Sequence, residues 1–342
     1  MKKIALGILV LLLIICIWHF ALVHYALIQL AGQLSLIYHT QPIEEVINDK
    51  NFPKEKKEKL LLIADIKQFA VNQLGFNSNE NYTTYYDQQN QPLMYVVSAC
   101  PKYSMQEYEW QFPIAGTFTY KGFFRRDMAD EEVEERKKEG LDVYLGTASG
   151  WSTLGWLKDP VLSGMLNKSK GELSELIIHE LTHSFKYDKY NVTFNENLAT
   201  FVGQKGALNF ISKHYGPTSS EMKEYEAQLQ DNQLFDERMT RGYYELDSLY
   251  KSFNNSTSEV DKSRLKQALI DEIIGSINQL NLRDKNRYNF IVEKKNKINN
   301  AWFAPFKRYN TLQIELERSL NLADGDLKKW LKTTDFSRFS NE

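Results

Sequence analysis

From Ile4 to Val23 the chain is a nearly continuous run of Leu, Ile and Val, and after Lys2 and Lys3 no Lys, Arg, Asp or Glu occurs until Glu44. A helix needs about 20 apolar residues to cross the hydrocarbon core of a bilayer, so this run predicts a membrane anchor, assigned to residues 1–28. A cleaved signal peptide competes with that reading. The apolar stretch continues past Trp18 and Phe20 with no A-x-A-like cleavage site, which favours a retained anchor. Cys16 follows Ile15, not the small residue that a lipid-attachment site carries. Lys2 and Lys3 precede the run and the next basic residue is Lys50, which places the remaining mass on the non-cytoplasmic side, periplasmic or extracellular. His19 and His24 read as interfacial or packing residues, because a single span has no partner helices to shield a proton or metal path.

Beyond the anchor the periodicity changes several times. Residues 26–38 stay apolar with only Gln and Ser as polar positions and predict a helix between bilayer and domain. Residues 54–74 carry Leu60, Leu61, Ile63, Ile66 and Phe69 near the 3.6-residue period among basic clusters, an amphipathic helix. Three short β-branched or aromatic runs follow, at 92–99, 112–120 and 141–147, each bounded by Pro, Gly, Asn or Asp, and predict strands. Between the last two, residues 128–140 run from acidic to basic and end in Gly140, which suits a solvated helix. From about Glu221 onward helical periodicity dominates, broken at NNSTS (254–258). The expected fold is therefore α+β and mainly helical: a core over 29–215 with a small antiparallel sheet, and a helical C-terminal part over 216–342 packed on it.

Composition narrows the function classes. With 42 basic and 44 acidic side chains in 342 residues and no basic stripe, nucleic acid is not an expected partner. The two cysteines, Cys16 and Cys100, provide no disulfide framework and no zinc-site spacing, and Cys100 reads as a small buried hydrophobe.

The chemistry is concentrated in His179-Glu180-Leu181-Thr182-His183. Ser169 and Glu172 fit a capping box, and Leu173, Leu176, Ile177 and Phe185 recur at helical intervals, so the motif should sit on a helix. There the two imidazoles lie one turn apart on one face and can share a metal ion, while Glu180 stands beside them as base for an activated water. A catalytic zinc needs a third protein ligand. Lys189 occupies the place where metzincins have a third histidine and Lys186 that of the preceding glycine, which excludes that branch; His214 is isolated. Glu196, in Asn195-Glu196-x-x-Ala199, completes a His2Glu set like that of a thermolysin-like site, so 29–215 is expected to be a zincin-like catalytic core with an HExxH helix and a Glu-ligand helix. Two other readings stay open at this stage: Glu196 as the end of a capping box begun by Thr193, and Asp188 as the ligand. Thr200 stands where that pattern has an aspartate to orient a histidine. A hydroxyl donor for the oxyanion could come from Tyr120, Tyr243, Tyr244 or Tyr309, and the strand from Leu141 to Gly146 could form the cleft edge.

FPIAGTFTYKGFF (112–124), GLDVYLGTASGWSTLGWLKDPVL (140–162), IIHELTHSF (177–185) and FNENLATFVGQKGA (194–207), with Asn299-Asn300-Ala301 and the QLSLI run near the span, resemble the bacterial family of predicted aminopeptidases. The resemblance covers nearly the whole chain. It implies a membrane-bound or secreted metallopeptidase with one Zn2+ on His179, His183 and Glu196, Glu180 as base, and a peptide substrate. The chain has no G-x-M-E-N element to hold a free amine, so aminopeptidase specificity enters through the resemblance. The competing expectations are an endopeptidase and a membrane-tethered zinc-binding scaffold or chaperone that does not hydrolyse peptides.

Overall fold

The computed structural model describes residues 20–112, 116–148, 158–188 and 191–339. The described residues are 65% helical with small sheets of two or three strands, a mainly helical α+β fold. The anchor run up to His19, including Cys16, lies outside the described residues, as does part of 140–162.

Helix α1 spans Phe20–Tyr38. Strand β1 (Gln41–Pro42), the short α2 (Ile43–Asn48) and α3 (Lys54–Phe69) follow. A π-turn over Ala70–Leu74 closes α3 and ends at Gly75, whose φ of 81° a side chain with a Cβ adopts only at a cost. Strand β2 (Thr84–Tyr86) pairs antiparallel with β1 and parallel with β8 (Val161–Leu162). A second sheet holds β3 (Tyr95–Pro101) between β6 (Lys121–Phe123) and β7 (Leu141–Thr147), both antiparallel to it.

The single strand expected over 112–120 is instead a hairpin. β4 (Trp110–Phe112) and β5 (Gly116–Phe118) pair antiparallel, with Gly116, at φ 94°, opening the second strand opposite Phe112. Helix α4 (Arg126–Lys138) has its acidic-to-basic gradient, but it is not solvated all round: Ala129, Glu132, Val133 and Arg136 are buried. The buried Glu132 carboxylate takes a hydrogen bond from Trp110 Nε1 at 2.7 Å and ion pairs from Lys121 at 2.6 Å and Arg136 at 3.2 Å. Those partners offset its desolvation and bolt the hairpin to the helix.

The remaining helices are α5 (Lys170–Phe185), α6 (Val192–Tyr215), α7 (Ser220–Ser252), α8 (Glu259–Gly275), α9 (Asn286–Glu293), α10 (Asn300–Asn310), α11 (Gln313–Asn321) and α12 (Leu327–Thr333). The main core joins Ile63 and Ile66 of α3, Leu173 and Ile177 of α5 and Leu198 and Val202 of α6 with Leu316 and Trp330 near the C-terminal end. A second core joins Met239 and Leu246 of α7 to Ile270 and Ile273 of α8 and Phe303 of α10. A third lies between β3 and α4, around Val97, Ala99 and Val133. Cys100 is fully buried beside Ala301 and Ala304, and burial pushes its thiol up to about 12, which leaves it inert as a nucleophile.

Candidate metal centre

Helix α5 begins at the capping box read from the sequence: Glu172 N donates to Ser169 Oγ at 3.2 Å, and Ser169 N donates to Glu172 Oε2 at 3.1 Å. Its apolar side, Leu173, Ile177, Ile178 and Leu181, is buried. The opposite stripe, Glu172, Glu175, Leu176, His179, Glu180 and His183, repeats at helical spacing and lines a cleft of about 720 Å³. One helix thus divides its residues between core and chemistry.

Helix α6 returns antiparallel to it. Its N-cap is Asn191, whose side chain accepts from Phe194 N at 2.8 Å. Thr193 is therefore not the cap, and Glu196 is free of the capping-box role. Asn195 holds the connection between the helices: its Oδ1 accepts from Asp188 N at 2.8 Å and its Nδ2 donates to Asp188 O at 2.7 Å. Asp188 stays in this turn and is not in the donor cluster. Two turns beyond Glu196, Gly203 lets α6 touch α5. A Cβ built there would lie 3.0 Å from Glu175 O and 3.2 Å from His179 Cβ, closer than ordinary van der Waals contact.

These constraints bring Glu196 to both imidazoles. His179 Nε2 lies 3.5 Å from Glu196 Oε2 and His183 Nε2 lies 3.8 Å from Glu196 Oε1, and one donor atom from each of the three residues lies within 4.8 Å of the others. Hydrogen bonds between such groups run at about 2.7–3.2 Å. Donors around a tetrahedral zinc stand about 3.3–3.6 Å apart, given bonds of about 2.0–2.2 Å. The two histidine–glutamate distances lie close to those of ligands sharing an ion.

The electrostatics of two of the three donors, His183 and Glu196, fit that set. Burial, then the neighbouring His179, pulls His183 down to about 4, so its imidazole is neutral at pH 7. Burial alone would raise Glu196, but His179, His183 and Tyr309 outweigh it and hold the carboxyl below its ordinary range. A neutral imidazole and an ionised carboxylate are the forms that bind a metal. Burial also lowers His179, yet contact with Glu196 and the charges of Glu180 and Glu175 leave it raised. Glu180 is pushed up to about 7 by burial, with Glu196 and Asp159 adding to the effect against His179.

Of the four tyrosines, Tyr120 and Tyr309 line the cleft. Tyr243 is buried elsewhere and donates to Met105 O at 3.0 Å, and Tyr244 is half exposed on α7, away from the cleft lining. Tyr309 lines the cleft beside Glu196 and helps keep its carboxylate charged. Thr200 does not orient His183, whose Nδ1 is buried with no hydrogen-bond partner. His214 stacks on Phe210 near the far end of α6.

Two residues of the site were not found from the sequence. Asn197, fully buried, donates to Arg308 O at 2.6 Å and accepts from Leu312 N at 2.9 Å, so α10 is tied to α6 one residue after Glu196. Arg308, which lines the cleft, is fixed by Glu107 and by Thr119 Oγ1 at 2.9 Å, and its guanidinium lies 5.3 Å from the centre of the Tyr120 ring. Nothing in local periodicity marks either residue, because their partners are about a hundred residues or more away. The Asn299-Asn300 pair proves structural: Asn300 Nδ2 donates to Pro101 O at 3.0 Å and Ser104 O at 3.1 Å, and Asn299 Nδ2 donates to Val143 O at 2.9 Å.

β7 is an edge strand of its sheet, and beyond the Asn299 contact its Tyr144, Gly146 and Thr147 line the cleft. Fold and site together define a candidate hydrolytic metal centre, two histidines and a glutamate beside a second buried carboxylate at the floor of a cleft. A family model described as "Putative aminopeptidase" matches residues 24–338, and the chain belongs to that family. No curated protein and no solved structure matches it significantly.

Proposed function

We propose that the chain is a zinc-dependent metallopeptidase of aminopeptidase type, tethered to the membrane by its N-terminal apolar run with the catalytic domain on the non-cytoplasmic side. The observation that carries the zinc reading is the convergence of His179, His183 and Glu196 at metal-ligand spacing on the cleft floor, with Glu180 facing the same space. Family membership supports peptide hydrolysis. When bound, zinc supplies Lewis-acid polarisation of the scissile carbonyl and acidifies water.

The residues of the chain divide the remaining work. The Glu180 carboxylate accepts a proton from the attacking water and then delivers it to the leaving nitrogen as the carbon–nitrogen bond breaks. The open edge of β7 pairs with the substrate backbone, fixing the scissile bond over the cleft floor. Tyr309 helps keep Glu196 charged, and Tyr120, stacked against Arg308, is the cleft tyrosine whose hydroxyl donates to the developing oxyanion.

Metal analysis of the purified protein should give about one zinc per chain, with a sharp loss in Glu196→Ala and retention in Glu180→Gln. Full metal in Glu196→Ala overturns the third ligand, and hydrolysis that persists in Glu180→Gln overturns the base. Paired peptides with free and blocked N-termini then decide the type of cleavage. Only the free peptides should be cut, whereas equal cleavage of both makes the protein an endopeptidase. No cleavage of either by the zinc-loaded protein leaves the scaffold reading standing.

A further inference from the structure

Helix α1 is built inside out. The face it turns to the protein carries polar residues beside the buried Leu36. Tyr25 Oη donates to Gly122 O at 2.8 Å, Gln29 Nε2 donates to the same carbonyl at 3.0 Å, and Gln33 is buried. Gly32 packs so closely on Phe124 that an added Cβ would meet the ring at 2.4 Å. The large residues it turns away are apolar, with only His24 and Ser35 as polar side chains among the exposed positions up to Ile37: Phe20 is 68% exposed, Leu27 59%, Leu30 54%, Leu34 57% and Ile37 37%. A helix packed on a water-soluble domain shows the reverse arrangement, with its apolar stripe inward and its polar face in water.

An outward stripe of this kind matches a medium that is itself apolar. Two further observations identify that medium. Phe20–Tyr38 carries no charged residue and is apolar and long enough to pass for a membrane span. It also continues without a break in sequence from the run that begins at Ile4. Yet the domain grips α1 along its length, from Tyr25 to Leu36, and residues gripped by β6 cannot also lie deep in hydrocarbon.

We infer that the outward face of α1 is seated in the headgroup and acyl boundary of a lipid bilayer, so that the catalytic domain rests on the membrane and does not hang from a flexible stalk. This rests on the reading that the chain is membrane-tethered and extends the lipid-facing segment to Ile37. It has a consequence for the site. β6, which α1 grips, is hydrogen-bonded to β3, and Val96 and Ser98 of β3 line the cleft. The cleft wall therefore begins one strand from the lipid-facing helix, and the peptides it takes are those presented close to the membrane surface.

Spin labels test this in the full-length protein reconstituted into vesicles of phosphatidylethanolamine and phosphatidylglycerol. The labels go on Leu27→Cys, Leu30→Cys and Leu34→Cys in a Cys16→Ser background; Cys100 is fully buried and stays out of reach. Native Cys16 in the unaltered chain reports the tether, and Leu322→Cys, on a residue 84% exposed, reports water. The α1 labels should collide severalfold more often with oxygen than with a water-soluble nickel chelate, and the Leu322 label should do the opposite. Nickel access at Leu27, Leu30 and Leu34 while Cys16 remains in lipid overturns the seating and leaves the tether standing. Labels shielded from both reagents mean that a second protein surface covers the stripe, which also overturns it. If Cys16 itself is open to nickel, the tether fails, and the α1 labels then decide independently whether the helix is seated in lipid.

Discussion

Gly203→Ala tests whether the close approach of α5 and α6 sets the metal site. The added Cβ would stand 3.0 Å from Glu175 O, 3.2 Å from His179 Cβ and 3.4 Å from His179 N. Relaxed carbon contacts lie at about 3.5–4.0 Å, so the helices must separate by roughly 0.5–1 Å at this crossing. Two of the three close atoms are backbone, so a rotamer change cannot relieve them. Glu196 is seven residues earlier on α6, two turns away, and moves with the helix axis. Metal sites tolerate ligand displacements of about 0.2 Å, so metal affinity should fall at least ~10-fold. Stability should change much less. Ala gains about 1 kcal/mol of helix propensity over Gly, while overpacking costs about 1–3 kcal/mol, for a net loss of ~0–2 kcal/mol. Isothermal titration with zinc and urea denaturation of the metal-free protein separate the two effects. Gly275→Ala is the control, since nothing lies within 4 Å of its added Cβ, and it should leave zinc binding unchanged. A folded Gly203→Ala variant that binds zinc as tightly as the parent would refute the claim that this crossing positions the donors.

Asn197→Ala leaves the buried Arg308 carbonyl and Leu312 N–H without partners, so unfolding free energy should drop by about 2–4 kcal/mol and turnover should fall as Tyr309 loses its support, both read on the same protein by urea melts and peptide hydrolysis. Tyr309→Phe should weaken zinc binding severalfold with little change in stability, whereas Tyr243→Phe, far from the cleft, should lose stability by about 1 kcal/mol and keep its zinc affinity. Asp236 gives a pH dependence: burial, then the charge of Glu175, raises its carboxyl from 3.8 to about 7. A folded-state value above the unfolded one means that its favourable contribution is complete below about pH 4 and is lost as pH rises through about 7, by no more than ~4 kcal/mol at 1.36 kcal/mol per unit. Asp236→Asn should therefore gain stability over the parent between about pH 5 and about pH 8 in denaturant melts, and a difference independent of pH would show that Asp236 is solvated in the fold.

What the sequence made legible follows the range of the forces involved. Helices announce themselves through neighbours three and four residues apart, and so α3, α4, α5 and the long C-terminal helices could be read, α5 with its capping box, as could the seven residues of β7, Leu141–Thr147. The ligand helix was legible for the same reason: the histidines share a face because 3.6 residues make a turn. Strands of two or three residues carry no period, which is why β1, β2 and β8 escaped notice and why 112–120 read as one strand when it belongs to a hairpin. The support of the site is less legible still. Asn197 looks like any helical asparagine until Arg308 and Leu312 come to it from 111 and 115 residues away. The α1 helix shows the complementary failure. Its hydropathy was plain, but which residues faced inward was not, because period alone cannot say which medium lies outside. Only when Tyr25 and Gln29 are seen on Gly122, with Leu27, Leu30 and Leu34 turned away, does the apolar run become an orientation. Local physics therefore marks which residues can carry chemistry, and long-range packing decides which face each helix turns to its neighbours.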